Sequence, residues 1–432
     1  MFDLAILGGG PAGYSAAFEA TQYGLKTVLF ENREVGGTCL NRGCVPTKYL
    51  LHVANSFFNL GQIDADGINA SGVSLDYRET LIRMAQIIES QRKGLIEQFS
   101  TLNISYVEGN AEIVSANKVK CGDAEYDTRF VLIATGSKPA KSPVSDAITS
   151  DELLDLDEIP KKINILGGGA IATEFACIYR MLGTEVDVYI RSDRMLRNWD
   201  KDLAVGVTQS FKKKGITIHK NSDFDNIEID GLILSATGRE PMLPTVLDSK
   251  LDLYEIGKSG GIVVDKHGET KTAGIYAAGD VIEGSSRLAH IAMEQGRNAV
   301  RSIVGCNPID ILLPVRCIYI DQEIASVGYD EKQAYDAGIE AIVGKTGMYS
   351  NSRSLISKSD RGFVKILASK EGIIIGAHLM CKHADDMIPE LAFAVNNQLT
   401  VRDMLKSVRP HPSYCEAITD ALRNLSYKLE ND

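Results

Sequence analysis

Apolar positions near the start of the chain form two short, closely bounded runs, Asp3-Leu4-Ala5-Ile6-Leu7 and Thr27-Val28-Leu29-Phe30-Glu31. Runs of this length read as buried strands. Between them stand Gly8-Gly9-Gly10-Pro11-Ala12-Gly13, a helix-compatible stretch and Gly24. The pattern predicts strand, glycine loop, helix and strand, with Gly24 where the helix stops and turns back. The order recurs at Ile163-Asn164-Ile165-Leu166, Gly167-Gly168-Gly169-Ala170-Ile171-Ala172, Gly183 and Val186-Asp187-Val188-Tyr189-Ile190. Gly24 and Gly183 occupy matching places in the two copies, each sixteen positions after the first loop glycine.

Each copy is a βαβ phosphate cradle. The glycines let backbone approach a pyrophosphate, and the helix N-terminus offers N–H groups and the positive end of its dipole. One such loop is weak evidence; two in matching context predict two bound dinucleotides. Candidate contacts are Gly8, Gly10, Pro11, Ala12 and Gly13 in the first cradle, and Gly167, Gly169, Ala170 and Ile171 in the second. Glu31, ending the second strand, is placed to accept hydrogen bonds from a ribose diol.

Between the cradles, apolar periodicity predicts a helix around Leu81–Phe99, then short strands. These end in Phe130-Val131-Leu132-Ile133-Ala134-Thr135-Gly136, a strand running into a tight turn. Leu232-Ile233-Leu234-Ser235-Ala236-Thr237-Gly238 repeats it. Further on, Ile275-Tyr276-Ala277-Ala278-Gly279-Asp280 delivers a carboxylate at a strand end, suited to a ribityl or ribose hydroxyl. Ala134, Thr135, Gly136, Gly279 and Asp280 join the first candidate site; Ala236, Thr237 and Gly238 join the second.

A chain of 432 residues exceeds one ordinary core, so two or three domains are expected. The net charge of −11 argues against nucleic acid or an anionic membrane as partner. No run is long enough to cross a bilayer, and no secretory leader is expected. Six of the eight cysteines lie singly, which fits a reducing cytoplasm.

Cys39 and Cys44 differ, standing close together in Gly36-Gly37-Thr38-Cys39-Leu40-Asn41-Arg42-Gly43-Cys44-Val45-Pro46-Thr47-Lys48. On a regular helix their Cα atoms would be roughly 8–9 Å apart, whereas a disulfide needs less than about 7 Å. A bridge therefore predicts a distorted first turn and a bond that is easy to reduce. A helix N-terminus and Lys48 would stabilise a thiolate. A purely structural disulfide is the bland alternative. Zinc is disfavoured by the absence of a second ligand pair, and no metal is expected.

This segment resembles the redox-active stretch of the pyridine nucleotide-disulfide oxidoreductases, and the resemblance runs from the first cradle to the C-terminus. It implies an α/β fold: two Rossmann-like dinucleotide-binding domains plus a C-terminal α+β dimerisation domain. The implied boundaries are 1–140 with 256–311 for FAD, 141–255 for the nicotinamide and 312–432 for dimerisation. It implies Cys39 as the thiol that meets substrate and Cys44 as the one facing the flavin, with Gly37, Thr38 and Lys48 beside the cofactor. Glu174 would be the ionic partner of Lys48.

Arg409-Pro410-His411-Pro412-Ser413-Tyr414-Cys415-Glu416 resembles the family's catalytic-base motif. Imidazole suits proton transfer from a thiol, and Glu416 can fix its tautomer. The resemblance implies that His411 serves the disulfide of a second subunit in a homodimer. A cis peptide is predicted before Pro412. Members that oxidise dihydrolipoamide usually carry a histidine where this chain has Arg409.

The second cradle places Ile190 where the first has Glu31. With no carboxylate to repel a 2′-phosphate, and with Arg191 and Arg197 nearby to bind one, the expectation is NADP(H) over NAD(H). The remaining segments resemble the branch acting on dihydrolipoamide and lipoamide. An NADPH-dependent reductase of glutathione or another small disulfide remains open, as does a flavin-binding subunit without turnover. The short stretch between Ile216-Thr217-Ile218 and Leu232-Ile233-Leu234 predicts a trimmed nicotinamide domain.

Overall fold

Small and β-branched residues around the first glycine loop let strand, helix and strand pack tightly. In the computed structural model these are Phe2–Leu7, Pro11–Gln22 and Thr27–Glu31. The structure describes all residues except 62–66, 70, 225–228, 249, 312, 360 and 432. Pro11 opens the helix, where its fixed φ and missing N–H cost nothing. Gly24 (φ +68°) and Gly183 (φ +96°) turn the chain back after the two cradle helices in the left-handed conformation that glycine tolerates.

The first sheet runs Ser105–Glu108, Thr27–Glu31, Phe2–Leu7 and Ala124–Ile133, with neighbours parallel. Ala124–Ile133 links two kinds of pairing. Its first half pairs antiparallel with Lys118–Cys121, and its second half lies parallel to Phe2–Leu7 and Ile275–Ala277. The late strand therefore rejoins the first sheet after the second cradle has formed its own. The predicted helix around 81–99 extends over Tyr77–Thr101, started by the Asp76 side chain accepting the Glu79 N–H.

The second sheet is parallel throughout: Thr217–His219, Glu185–Tyr189, Lys162–Leu166 and Leu232–Ser235. On one face Ile163, Ile165, Val186 and Val188 pack with Phe175, Ala176, Val207 and Phe211 from helices Ala170–Met181 and Lys201–Lys214. The other face is polar. Lys162 reaches Glu185, Asp187 and Asp230, His219 bonds Asp187 at 2.9 Å, and the Tyr189 and His219 rings stack at 4.3 Å. Parallel sheets are ordinarily apolar on both faces. Here the connection from His219 to Leu232 is short, and charge pairs occupy the face in place of apolar packing.

The third part is a five-stranded antiparallel sheet in the order Arg316–Ile318, Ile324–Gly328, Ile374–Met380, Phe363–Ser369 and Ala341–Gly347. Helices Ala384–Asn396 and Glu416–Asn431 close its core. The architecture is the α/β class with two Rossmann-like sheets and a C-terminal α+β unit.

One buried cation ties the third part to the second. Lys365 is 1% exposed and bonds Asp200 at 2.8 Å, Asp202 at 3.2 Å and Glu331 at 2.5 Å. Asp200 also caps helix Lys201–Lys214 by accepting the N–H groups of Asp202 and Leu203. Removing one member of a buried pair strands the other charge. Lys365→Met strands buried Asp200 and two further carboxylates and is expected to cost roughly 3 kcal/mol, and Asp200→Asn less, since Lys365 keeps Asp202 and Glu331, in urea-unfolding measurements. The reverse ranking would show that the charge is not what matters there.

Candidate active site

Gly37 holds φ +59°, and a Cβ on it would lie 2.7 Å from the Gly10 Cα, so only glycine allows this loop to close on the first cradle. The contact sets helix Gly37–Arg42 beside the glycine loop, where Asn41 Nδ2 donates to the carbonyls of Val35 (3.0 Å) and Gly37 (2.9 Å). The helix stops at Gly43, and Cys44 begins a second helix, Cys44–Leu60. The pair is thus brought together by a break between two helices rather than by one distorted turn. Both cysteines are free thiols here and line the same cavity.

Lys48, one turn beyond Cys44, meets both carboxylate oxygens of Glu174 at 2.9 and 2.8 Å. Glu174 is buried on the second cradle helix and also accepts the Tyr319 N–H at 2.9 Å. The neighbouring Cys39 thiol lowers Cys44 as a hydrogen-bond donor, and the Lys48 ammonium adds to this, while burial opposes it. Cys39 moves up, because its proton is the shared one and because it is buried. Cys44 is the sulfur that carries the thiolate.

Gly8, Gly10, Pro11, Ala12, Glu31, Gly37, Thr38, Cys39, Cys44, Lys48, Ala134, Thr135, Gly136, Gly279 and Asp280 all line one cavity of about 410 Å³. Glu174, Ala170 and Ile171 border it from the second unit. Gly13 does not line it; a Cβ there would fall 1.9 Å from the Gly8 carbonyl oxygen, so its part is helix-to-loop packing. Glu31 binds its own loop, accepting the Gly9 and Arg33 N–H groups at 2.8 Å each.

Gly167, Gly169, Ala236, Thr237, Gly238, Arg191 and Arg197 lie outside this cavity, around the second cradle. The two cradles match closely: a Cβ on Gly8 would meet the Ala134 oxygen at 2.3 Å, and one on Gly167 the Ala236 oxygen at 2.4 Å. At the strand end they diverge. The neighbour of Gly9 is the Glu31 carboxylate, whereas that of Gly168 is the Ile190 side chain. Arg191 stacks on Phe224 at 4.7 Å, and Arg197 is exposed.

His411 is not among the residues lining the cavity that holds the thiol pair of its own chain. Its side chain is 73% exposed, its Nδ1 is 2.8 Å from Glu416, and the peptide to Pro412 is cis. The Ser413 N–H, donated at 2.8 Å, holds the Glu416 carboxyl below its usual range. Arg409 is buried against Glu390 and Thr419.

Sequence reasoning missed Arg239 and Ser137. Arg239 donates to the Ser137 hydroxyl (2.8 Å) and carbonyl (2.7 Å), and Ser137 bonds Asp280 at 2.6 Å, all at the cavity wall. A signal existed: Ala134-Thr135-Gly136-Ser137-Lys138-Pro139 and Ala236-Thr237-Gly238-Arg239-Glu240-Pro241 are copies, and their last three residues pair antiparallel. Arg42, Asp151 and Cys317, the last read from sequence only as a singly placed cysteine, also line the cavity.

A pyridine nucleotide-disulphide oxidoreductase family model matches residues 2–296, and the model of that family's dimerisation domain matches 315–422. The chain belongs to this family. It is similar to the dihydrolipoyl dehydrogenase of Mycoplasma genitalium, at 32% identity over 98% of each chain. It is 33% identical to a dihydrolipoyl dehydrogenase of Bacillus subtilis over 97% of each. Among solved structures, LpdA from Mycobacterium tuberculosis superposes with a TM-score of 0.89 at 26% identity, covering 98% of this chain and all of that one. The flavoprotein disulfide reductase RclA from Escherichia coli shares the fold, with a TM-score of 0.88 at 23% identity over 98% of this chain and 99% of its own.

As a family member the chain is an FAD-dependent disulfide oxidoreductase that uses a pyridine nucleotide, and it carries the dimerisation domain. The first cradle fits a flavin dinucleotide on its own geometry: glycines where a Cβ would collide, and one cavity continuous from Glu31 to the thiol pair. Among the described residues no helix is long and apolar enough to cross a membrane.

The thiol assignment can be checked by alkylating the reduced protein across pH. Cys44 should react with a midpoint below that of an ordinary thiol and below that of Cys39. Lys48→Met removes a cation that lowers the Cys44 midpoint, so the midpoint should rise. Earlier reaction of Cys39 would reverse the assignment.

Proposed function

We propose that the chain carries electrons between a lipoyl dithiol and NADP(H), in the manner of a dihydrolipoyl dehydrogenase, as a cytoplasmic homodimer. The observation that carries this reading is the Cys39–Cys44 pair on the dinucleotide cavity, with Lys48 one turn beyond Cys44 and bonded to Glu174. The names of the relatives support the lipoyl substrate. The proposed domains are 1–140 with 256–311 for FAD, 141–255 for the nicotinamide and 312–432 for dimerisation. Residues around Ile275–Ala277 belong with the first because that strand pairs within the first sheet.

In this mechanism His411 Nδ1–H donates a hydrogen bond to the Glu416 carboxylate, leaving Nε2 free as base. Nε2 takes a proton from one substrate thiol. The resulting thiolate attacks the Cys39 sulfur of the oxidised pair, and the sulfur–sulfur electron pair leaves on Cys44. His411 passes the proton it took to the departing Cys39 sulfur and takes the proton of the second substrate thiol, whose sulfur attacks the first substrate sulfur and releases Cys39. Substrate departs as a disulfide, and the pair is left reduced. The Lys48 ammonium and the Cys39 proton hold the Cys44 charge. Bound flavin supplies the two-electron acceptor beside this thiolate. Because His411 is exposed and outside the cavity of its own thiol pair, it serves the pair of a second copy.

The NADP(H) preference rests on Ile190 in place of a carboxylate and on the basic turn from Arg191 to Arg197. A second reading, reduction of glutathione or another small disulfide by NADPH, is favoured by that same turn and by Arg409 in place of a histidine. Assaying dihydrolipoamide and glutathione disulfide with each nicotinamide separates the two. Turnover with dihydrolipoamide, lost on Cys44→Ser and reduced about 100-fold on His411→Ala, is expected; turnover with glutathione disulfide alone would select the second reading. Arg191→Glu should raise the KM for NADP(H) about tenfold and spare NAD(H); equal effects on both would remove the phosphate assignment.

A further inference from the structure

Three parts of the chain meet at Lys48. The ammonium stands on helix Cys44–Leu60 and pairs with Glu174 on the second cradle helix. The third contact comes from Tyr319, just after strand Arg316–Ile318 of the C-terminal sheet. Its ring centroid lies 4.5 Å from the Lys48 Nζ, while its own N–H donates to Glu174 Oε1 at 2.9 Å. One residue thus holds both members of the ion pair, the anion by its backbone and the cation by its ring. Burial pushes the Tyr319 phenol upward, so the ring meets Lys48 as a neutral quadrupole and not as a phenolate. Neighbouring Cys317 lines the flavin cavity, so this segment forms part of its wall.

We propose that Tyr319 is a positioning residue whose aromatic face fixes the Lys48 ammonium at the flavin, so that the C-terminal sheet helps set the flavin's reduction potential. The proposal rests on the reading that Lys48 faces the flavin. A cation held at the ring favours the reduced, more anionic flavin. Without the face, Lys48 is restrained by Glu174 alone and swings toward water, weakening that field. The contact belongs to the π-face and not to the hydroxyl, so phenylalanine preserves it.

The test measures the flavin midpoint potential of the holoenzyme. Tyr319→Leu should leave about tenfold less reduced flavin at a fixed nicotinamide ratio, a fall of about 30 mV for a two-electron couple. Tyr319→Phe should match the parent. Phenylalanines of increasing ring fluorination at 319 keep the shape while draining the π-face, and should lower the potential stepwise without loss of flavin. In flavin-free protein, amidination of Lys48 followed by mass spectrometry should be faster in Tyr319→Leu. A flat response to fluorination, while Lys48→Met still lowers the potential, would overturn the proposal and leave the role of Lys48 standing. An unchanged potential in Lys48→Met would overturn both.

Discussion

The Lys48–Glu174 pair joins a helix that starts at the thiol pair to the first helix of the second cradle, and Tyr319 fastens both to the C-terminal sheet. A half-buried ammonium bonded to a buried carboxylate tolerates little displacement, because separation leaves a charge without a partner. Helix Cys44–Leu60 is therefore fixed against two other units at the turn that carries Cys44. The neighbouring sulfurs, the cavity wall and the Cys44 thiolate inherit their geometry from this junction.

Duplication supplies the frame and divergence supplies the function. In both cradles the first loop glycine lies where a Cβ would strike a carbonyl oxygen of the neighbouring Ala-Thr-Gly turn. That collision is a backbone matter, so the two copies share it. At the strand end no such backbone collision applies, and there one copy presents Glu31 and the other Ile190. The Ala-Thr-Gly turns diverge likewise. Their following residues pair with one another as a two-stranded ladder, carrying Arg239 to Ser137, which bonds Asp280.

The chain departs from a standard doubly covered sheet in its second unit. Lys162, Asp187, Tyr189 and His219 form a polar layer where apolar residues would be expected, and the covering connection is short. The loss is offset by charge pairs and ring stacking on that face, and by Lys365, which anchors the N-cap of helix Lys201–Lys214 from the C-terminal sheet. Arg409 is a comparable case. It reads as a missing histidine in sequence, and in the fold it is a buried guanidinium bracing the His411 loop against Glu390 and Thr419.

The glycine loops, their flanking strands, the thiol pair and the proline at His411 were legible in the sequence, because each is imposed by local backbone sterics or by chemistry within a few residues. Lys48–Glu174 was readable only through resemblance, since 126 positions separate its members. The break at Gly43, the ring of Tyr319 on Lys48, the Arg239–Ser137–Asp280 chain and the exposure of His411 were decided by tertiary structure alone. Each depends on surfaces brought together by packing of distant segments, and no local preference of those residues specifies which surface they will meet.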